Sequence, residues 1–126
     1  MNQFILDAGG AVLILVFAVI FLFITVVVEG LIMWIMKYNN AGKSFLDALI
    51  INLVSMAAGY LLTLVSGRPF DLDNLSDFLI LYIITFVIEF IVLYFLNRKL
   101  PVQKTLLTAI VINIVSYLIL YCFRFF

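Results

Sequence analysis

Four apolar runs, each about 20 residues long, are the feature of this sequence that most restricts its fold. Three runs contain no charged side chain, and the third along the chain contains one, Glu89. The runs are 8–28, 48–67, 78–96 and 105–123. About 20 apolar residues in a helix cross the roughly 30 Å hydrocarbon core of a bilayer, and lipid cannot satisfy an open backbone. The sequence therefore predicts an all-α integral membrane protein with four transmembrane helices.

The composition agrees with a single four-helix membrane domain over residues 1–126. Hydrophobic residues make up 67% of the chain and charged residues 11%, whereas about 25% of a soluble domain is charged. The chain has no histidine and one cysteine, Cys122, which argues against a disulfide, a metal site or a cofactor. No nucleotide-binding or hydrolase motif occurs, so no catalytic residue is predicted. The net charge of zero suggests no nucleic-acid partner.

The charges lie between the apolar runs and predict an orientation. Basic residues flank the first and third connections, whereas the second connection is acidic. The basic residues are Lys37, Lys43, Arg98, Lys99 and Lys104, and the second connection carries Asp71, Asp73 and Asp77 against Arg68. Cytoplasmic connections carry an excess of Lys and Arg. We therefore expect a bacterial inner membrane, with the first and third connections in the cytoplasm and both termini outside.

The two halves of the chain resemble each other. The similar segments are 25–37 with 85–97, and 43–60 with 104–121. Matched polar residues are more informative than matched aliphatic ones, and they pair Thr25 with Thr85, Glu29 with Glu89, Lys43 with Lys104, Asn52 with Asn113 and Ser55 with Ser116. The pattern predicts two tandem helical hairpins, residues 10–66 and 76–126 approximately. Each hairpin contains two spans, so both enter the membrane in the same direction and form a parallel repeat.

Four polar residues are predicted to lie at one depth. Glu29, Asn52, Glu89 and Asn113 are each eight or nine residues from a basic residue, which corresponds to about 12–14 Å along a helix. The sequence thus predicts a layer of two carboxyl and two amide side chains, which we call the Glu/Asn tier. Secondary members are expected at nearby positions on the same helix faces. These are Thr25, Ser55, Thr85 and Ser116.

Two interpretations of this tier are open. Ionisable side chains inside a membrane are costly and commonly functional, so Glu29 and Glu89 predict a proton- or cation-linked transporter or channel. A bundle of four helices encloses little space, so this interpretation favours a homo-oligomer in the lipid bilayer. Alternatively, the tier only holds the helices together in an accessory subunit of a larger membrane protein. An intramembrane enzyme is less consistent with the sequence, because no nucleophile accompanies the carboxyl groups.

Three further positions give local expectations. Ser44 and Asp47 have the spacing of a capping box at the start of the second helix. Asn74 precedes the third helix as a cap would, with Asp77 as a favourable carboxylate in its first turn. Gly30 lies beside Glu29, and we expect it to leave that carboxyl group more room and more water than Glu89 has.

Overall fold

A computed structural model describes residues 2–71 and 73–123, which form four helices and contain no strand. The helices are α1 Asn2–Ile35, α2 Ala41–Ser66, α3 Leu75–Leu96 and α4 Val102–Phe123. Each is long and apolar enough to cross a membrane. The all-helical fold class is therefore confirmed, and the helices contain the four predicted apolar runs. The predicted second hairpin reaches residue 126, and its residues 124–126 lie outside the described part of the chain.

The four helices form a closed ring in which each one packs against two neighbours. α1 packs closely against α2 and α4, and α3 also packs against α2 and α4, while the backbones of the two diagonal pairs do not approach closely within the described residues. The connections are short, so consecutive helices run in opposite directions. Both basic connections thus lie at one end of the bundle, which we call the basic end. The α2–α3 connection lies at the opposite end, which we call the acidic end.

Burial in this bundle is the reverse of that in a soluble protein. Among the described residues, eleven buried side chains are polar or charged and only seven are apolar. Large aliphatic side chains face outward instead, as at Ile14 and Val65, which are 72% and 85% exposed. Such a surface is unfavourable in water and favourable in hydrocarbon. The distribution of polarity therefore indicates membrane localisation independently of helix length.

The starts of α2 and α3 show which capping predictions are correct. Asn74 caps α3, and its side chain accepts a hydrogen bond from the Ser76 amide at 2.9 Å, as predicted. The capping-box prediction for Ser44 and Asp47 is wrong. α2 begins earlier, at Ala41, where Asn40 accepts a hydrogen bond from the Lys43 amide at 2.8 Å. Because Asn40 already caps this helix, the Asp47 carboxylate lies in its second turn and is free for other partners.

An ion pair organises the acidic end. Asp77, in the first turn of α3, accepts hydrogen bonds from both terminal nitrogens of Arg68, at 2.7 and 2.9 Å, and from the Asp71 amide at 3.0 Å. The hydrogen bonds with Asp77 raise the pKa of Arg68 above its usual value. Gly67, with φ of 70°, ends α2 in the left-handed conformation and directs the chain toward this pair. The connection is thereby fixed at the N-terminus of α3.

α1 and α2 approach each other closely at Gly30. A methyl group added at Gly30 would collide with the ring of Phe45, so this position requires the absence of a side chain. The corresponding residue in the other half is Phe90. At this point of the α1–α2 interface, the Phe45 ring of α2 therefore packs against the backbone of α1. At the aligned position, α3 carries a phenylalanine side chain instead of a glycine.

We expect Gly30→Ala to lower the free energy of unfolding by about 1–3 kcal/mol, because overpacking forces the Phe45 ring out of its position. Thermal unfolding of the purified protein in detergent measures the effect. Gly59→Ala is the matched control, since no atom lies within 4 Å of a methyl group there. That variant should be neutral or slightly stabilising. Equal behaviour of the two variants would contradict the close approach at Gly30.

Candidate functional site

The structure brings the predicted Glu/Asn tier together inside the bundle. Asn52 Nδ2 on α2 donates a hydrogen bond to Glu29 Oε2 on α1 at 2.6 Å. Asn113 Nδ2 on α4 donates to Glu89 Oε2 on α3 at 2.8 Å. All four side chains are buried, and Glu29 and Asn113 have no exposed surface. Each carboxyl group is therefore bound by the amide of the helix that follows it in the chain.

The two predicted serines make the remaining connections crosswise. Ser55 Oγ on α2 donates to Glu89 Oε1 on α3 at 2.7 Å. Ser116 Oγ on α4 donates to Glu29 Oε1 on α1. One side-chain hydrogen bond to a glutamate thus crosses each of the four helix interfaces in the ring. The sequence placed these residues near the tier, but it did not predict that each serine would reach the glutamate of the other half.

The two predicted threonines lie on the acidic-end side of the tier. Thr25 Oγ1 donates to the carbonyl oxygen of Phe21 in its own helix at 2.7 Å. Thr85 Oγ1 accepts a hydrogen bond from the Tyr117 hydroxyl at 3.1 Å. Neither threonine has a described hydrogen bond to a glutamate. Tyr117 was not predicted as part of the site, although its position one residue after Ser116 could have suggested it.

A cavity of about 160 Å³ extends from the tier toward the acidic end. Seven of the eight predicted site residues line it, and Glu29 is the exception. The other lining residues are Phe21, Met56, Tyr117 and Leu120. A space of this size accommodates a few water molecules or one small cation. The glutamates are therefore enclosed by helices, and Glu89 is adjacent to a chamber whose walls are mostly apolar with a few polar groups.

One side-chain acceptor of the tier has no hydrogen-bond partner among the described residues. Asn113 Nδ2 donates both to Glu89 and to the Ala109 carbonyl oxygen, at 2.8 and 2.9 Å, which fixes the orientation of the amide. Its carbonyl oxygen Oδ1 is buried and unpaired. This oxygen has almost no surface accessible to water, so a ligand reaches it only if neighbouring side chains move. Carboxyl, amide and hydroxyl groups lie nearby, and their oxygen atoms are the ligands that a hard cation prefers.

The expectation that Gly30 gives Glu29 more room is wrong. The Phe45 ring fills the space beside Gly30, and Glu29 does not line the cavity. Glu89 does line it and retains a small exposed area. The prediction failed because the local sequence shows the size of the neighbouring residue but not the side chain that another helix inserts. Of the two carboxyl groups, Glu89 is the one in contact with the chamber.

An apolar layer closes the basic-end side of the tier. It contains one large side chain from each helix, none of which has exposed surface. These are Met33, Ile51, Leu93 and Ile112, and the fully buried Ala48 and Ala109 accompany them. All six of these positions carry apolar side chains. The cavity is therefore continuous with the acidic-end half of the bundle only.

Beyond the apolar layer lies a second buried polar cluster, which the sequence analysis missed. Asp47 accepts hydrogen bonds from Asn97 Nδ2 at 2.8 Å and from Lys43 Nζ, which is 3.1 Å from both carboxylate oxygens. Asn39 donates to the Asn97 side-chain oxygen. The four-residue spacing of Lys43 and Asp47 is typical of an ion pair on one helix face, but the sequence analysis assigned Asp47 to a capping box instead.

Polar bonds at the basic end join the first and third connections. Lys104 Nζ donates to the Lys37 carbonyl oxygen at 2.8 Å, and Lys43 Nζ donates to the Leu96 carbonyl oxygen at 3.3 Å. Both ammonium groups thus lie at the C-terminal end of a helix from the other half, where the helix dipole favours a cation. The Tyr38 hydroxyl lies 3.2 Å from Thr105 Oγ1. Burial raises the pKa of Tyr38, and the hydrogen bond with Thr105 opposes this effect.

The described residues contain no group of three His, Cys, Asp or Glu side chains that could hold a metal ion. No protein-family model, curated protein or solved structure matches the chain. Any functional assignment therefore depends on the geometry of the site itself.

We expect Asp47→Ala to destabilise the protein by about 1–3 kcal/mol, because it removes the carboxylate that Asn97 binds in the buried cluster and the ion-pair partner of the partly exposed Lys43. Thr108→Ala is the matched control, since Thr108 occupies the aligned position and its hydroxyl bonds only to the Lys104 carbonyl of its own helix. Denaturation in detergent should show a smaller loss for the control. Equal losses would mean that the Asp47 cluster does not stabilise the basic end.

Proposed function

We propose that this protein is a small membrane transporter or channel that binds and releases a proton or a cation at Glu29 and Glu89. The observation that carries the proposal is that Glu89, a buried carboxyl group hydrogen-bonded to two neighbouring helices, lines a cavity in the bundle. Ionisable side chains inside a membrane bundle are costly and commonly mark the pathway of a proton or an ion. The proposal assigns no enzyme activity and no cofactor.

The hydrogen bonds of Ser55 allow Glu89 to exist with and without a proton. Ser55 Oγ lies 2.7 Å from Glu89 Oε1 and 2.9 Å from the Ile51 carbonyl oxygen. A hydroxyl group has one proton and donates to one of these acceptors at a time. When Glu89 is ionised, Ser55 donates to it. When Glu89 is protonated, the acid donates to Ser55 Oγ, and Ser55 donates to the Ile51 carbonyl oxygen instead.

Access to the site is proposed to alternate between the two ends of the bundle. The chamber extends toward the acidic end, while the apolar layer separates the tier from the basic end. In the described arrangement a ligand reaches Glu89 from the acidic end. Release on the other side requires side chains of the apolar layer to move apart or water to enter between them.

The wider architecture is part of the same proposal. We propose that the chain arose from two duplicated hairpins, residues 10–66 and 76–126, related by an axis along the membrane normal. Support comes from aligned residues that make equivalent bonds, namely the Asn–Glu pairs within each half and the Ser–Glu pairs between halves. The proposed setting is a bacterial inner membrane with both termini outside, and the proposed assembly is a homo-oligomer.

The second candidate function is that of an accessory subunit in a larger membrane complex. The ring of hydrogen bonds favours it, because one bond across each helix interface is also what a purely structural tier would provide. In that case the outward aliphatic surface docks a membrane partner. This alternative gives no role to the chamber.

Flux in liposomes distinguishes the two functions. We expect Glu89→Gln and Glu29→Gln to abolish or sharply slow pH-dependent flux, because Gln keeps a hydrogen-bonding side chain but cannot exchange a proton at neutral pH. Glu89→Gln should be the more severe variant, since Glu89 lines the chamber. Asp7→Asn, which removes an exposed carboxylate from α1, is the matched control and should keep wild-type flux.

The accessory function predicts a different pattern. Both Gln variants would then be nearly silent, and Glu29→Leu or Glu89→Leu would lower stability in detergent by about 1–2 kcal/mol through the loss of intramembrane hydrogen bonds. Wild-type flux equal to that of empty liposomes, with protons and several cations tested, would reject transport.

The proposed orientation is testable with single cysteines. In a Cys122→Ser background, we expect Lys99→Cys to react with an impermeant thiol reagent only from the cytoplasmic side. Asp73→Cys should react only from the outside, because the acidic and basic connections lie at opposite ends of the bundle. Labelling of intact cells and of lysed cells measures both positions. The reverse pattern contradicts the orientation, and reaction of each position from both sides indicates two orientations.

A further inference from the structure

A groove at the basic end is separate from the Glu/Asn tier. It has a volume of about 420 Å³ and lies between the start of α2 and the end of α3. The lining residues are Asn39, Lys43, Phe95, Leu96, Asn97, Arg98, Lys99 and Leu100. The lining combines three apolar side chains with ammonium, guanidinium and amide groups. The groove lies at the depth where a membrane helix ends and headgroups begin.

Not all cationic side chains of the groove form ion pairs within the described part of the chain. Lys43 forms an ion pair with the buried Asp47 and also donates a hydrogen bond to the Leu96 carbonyl oxygen at the end of α3. Arg98 and Lys99 are exposed and have no acidic partner among residues 2–71 and 73–123. The guanidinium carbon of Arg98 lies 4.8 Å from the centre of the Phe95 ring. This stacking orients the guanidinium group while its N–H donors remain available.

We propose that this groove binds a phosphate ester, with Arg98 and Lys99 contacting the phosphate oxygens. Guanidinium groups match phosphate geometry with paired hydrogen bonds, and ammonium groups add charge. Phe95, Leu96 and Leu100 provide an apolar surface for the carbon part of the ester. The Lys43 ammonium group binds the Leu96 carbonyl oxygen, which reduces the repulsion between the end of α3 and the anion. The ester is either the headgroup of an anionic phospholipid or a soluble phosphate ester.

The charge balance favours an anion over the cation proposed for the tier. Asp47 is the carboxylate that lies nearest along the chain to Lys43. It is buried beneath Lys43, with 1% of its surface exposed. A cation entering the groove would meet Arg98 and Lys99 before any free carboxylate. The groove and the chamber are also separated by the apolar layer, so the phosphate site does not depend on the proposed transport function.

Binding to the full-length protein in detergent tests the site. The probes are phosphatidylglycerol, phosphatidylcholine as the zwitterionic comparison, and glycerol 3-phosphate as a soluble ester, with bound species counted by native mass spectrometry. We expect phosphatidylglycerol to bind better than phosphatidylcholine. The double variant Arg98→Gln with Lys99→Gln should weaken its binding by about tenfold or more, since each basic residue near a membrane surface adds measurably to anionic-lipid affinity.

Lys37→Gln is the matched control, because Lys37 is an exposed cation at the same end of the bundle and does not line the groove. It should leave binding unchanged. Competition by millimolar glycerol 3-phosphate identifies a soluble ester as a ligand, and its absence with retained lipid binding identifies the lipid headgroup. Equal binding of both lipids, or equal loss in the double variant and in Lys37→Gln, overturns the proposal. Unchanged unfolding temperatures confirm that the variants are folded.

Discussion

The burial of two carboxyl groups among lipid-facing helices is the constraint on which the rest of this structure depends. Each group needs partners within the bundle, because hydrocarbon supplies none. Glu29 and Glu89 each receive an amide from one neighbouring helix and a hydroxyl from the other. Together these bonds cross all four helix interfaces. A sliding or rotation of any helix would break at least one of them, so the tier determines the relative depth of all four helices.

The sequence predicts the helices and the depth of the tier because both depend on distance along the chain. Apolar runs give the spans, and the spacing of Glu29 and Asn52 from basic residues gives their level. It does not predict the crosswise bond from Ser55 to Glu89, since that bond depends on which side of α2 faces α3. Asp47 shows a second limit. Its spacing fits a cap and an ion pair equally well, and only the position of Asn40 decides between them.

The two halves are similar in their polar residues and different in their packing, and the difference makes the glutamates unequal. In the first half, the Phe45 ring packs on Gly30 and seals the space next to Glu29. In the second half, Phe90 occupies the aligned position, and Glu89 lines the chamber. A pair of equivalent carboxyl groups would bind a ligand symmetrically. The unequal packing instead leaves Glu89 in contact with the chamber and Glu29 away from it.

The polar cluster at the basic end determines how this site could communicate with the opposite side. Asp47 lies five residues before Asn52, about 7–8 Å along α2, and the intervening layer is apolar. If the layer opens by separation of the helix ends, bonds such as Asn97 to Asp47 and Lys104 to the Lys37 carbonyl break. Each contributes about 1 kcal/mol, so these bonds add a few kcal/mol to the cost of separating the helix ends, beyond the cost of exposing the apolar layer.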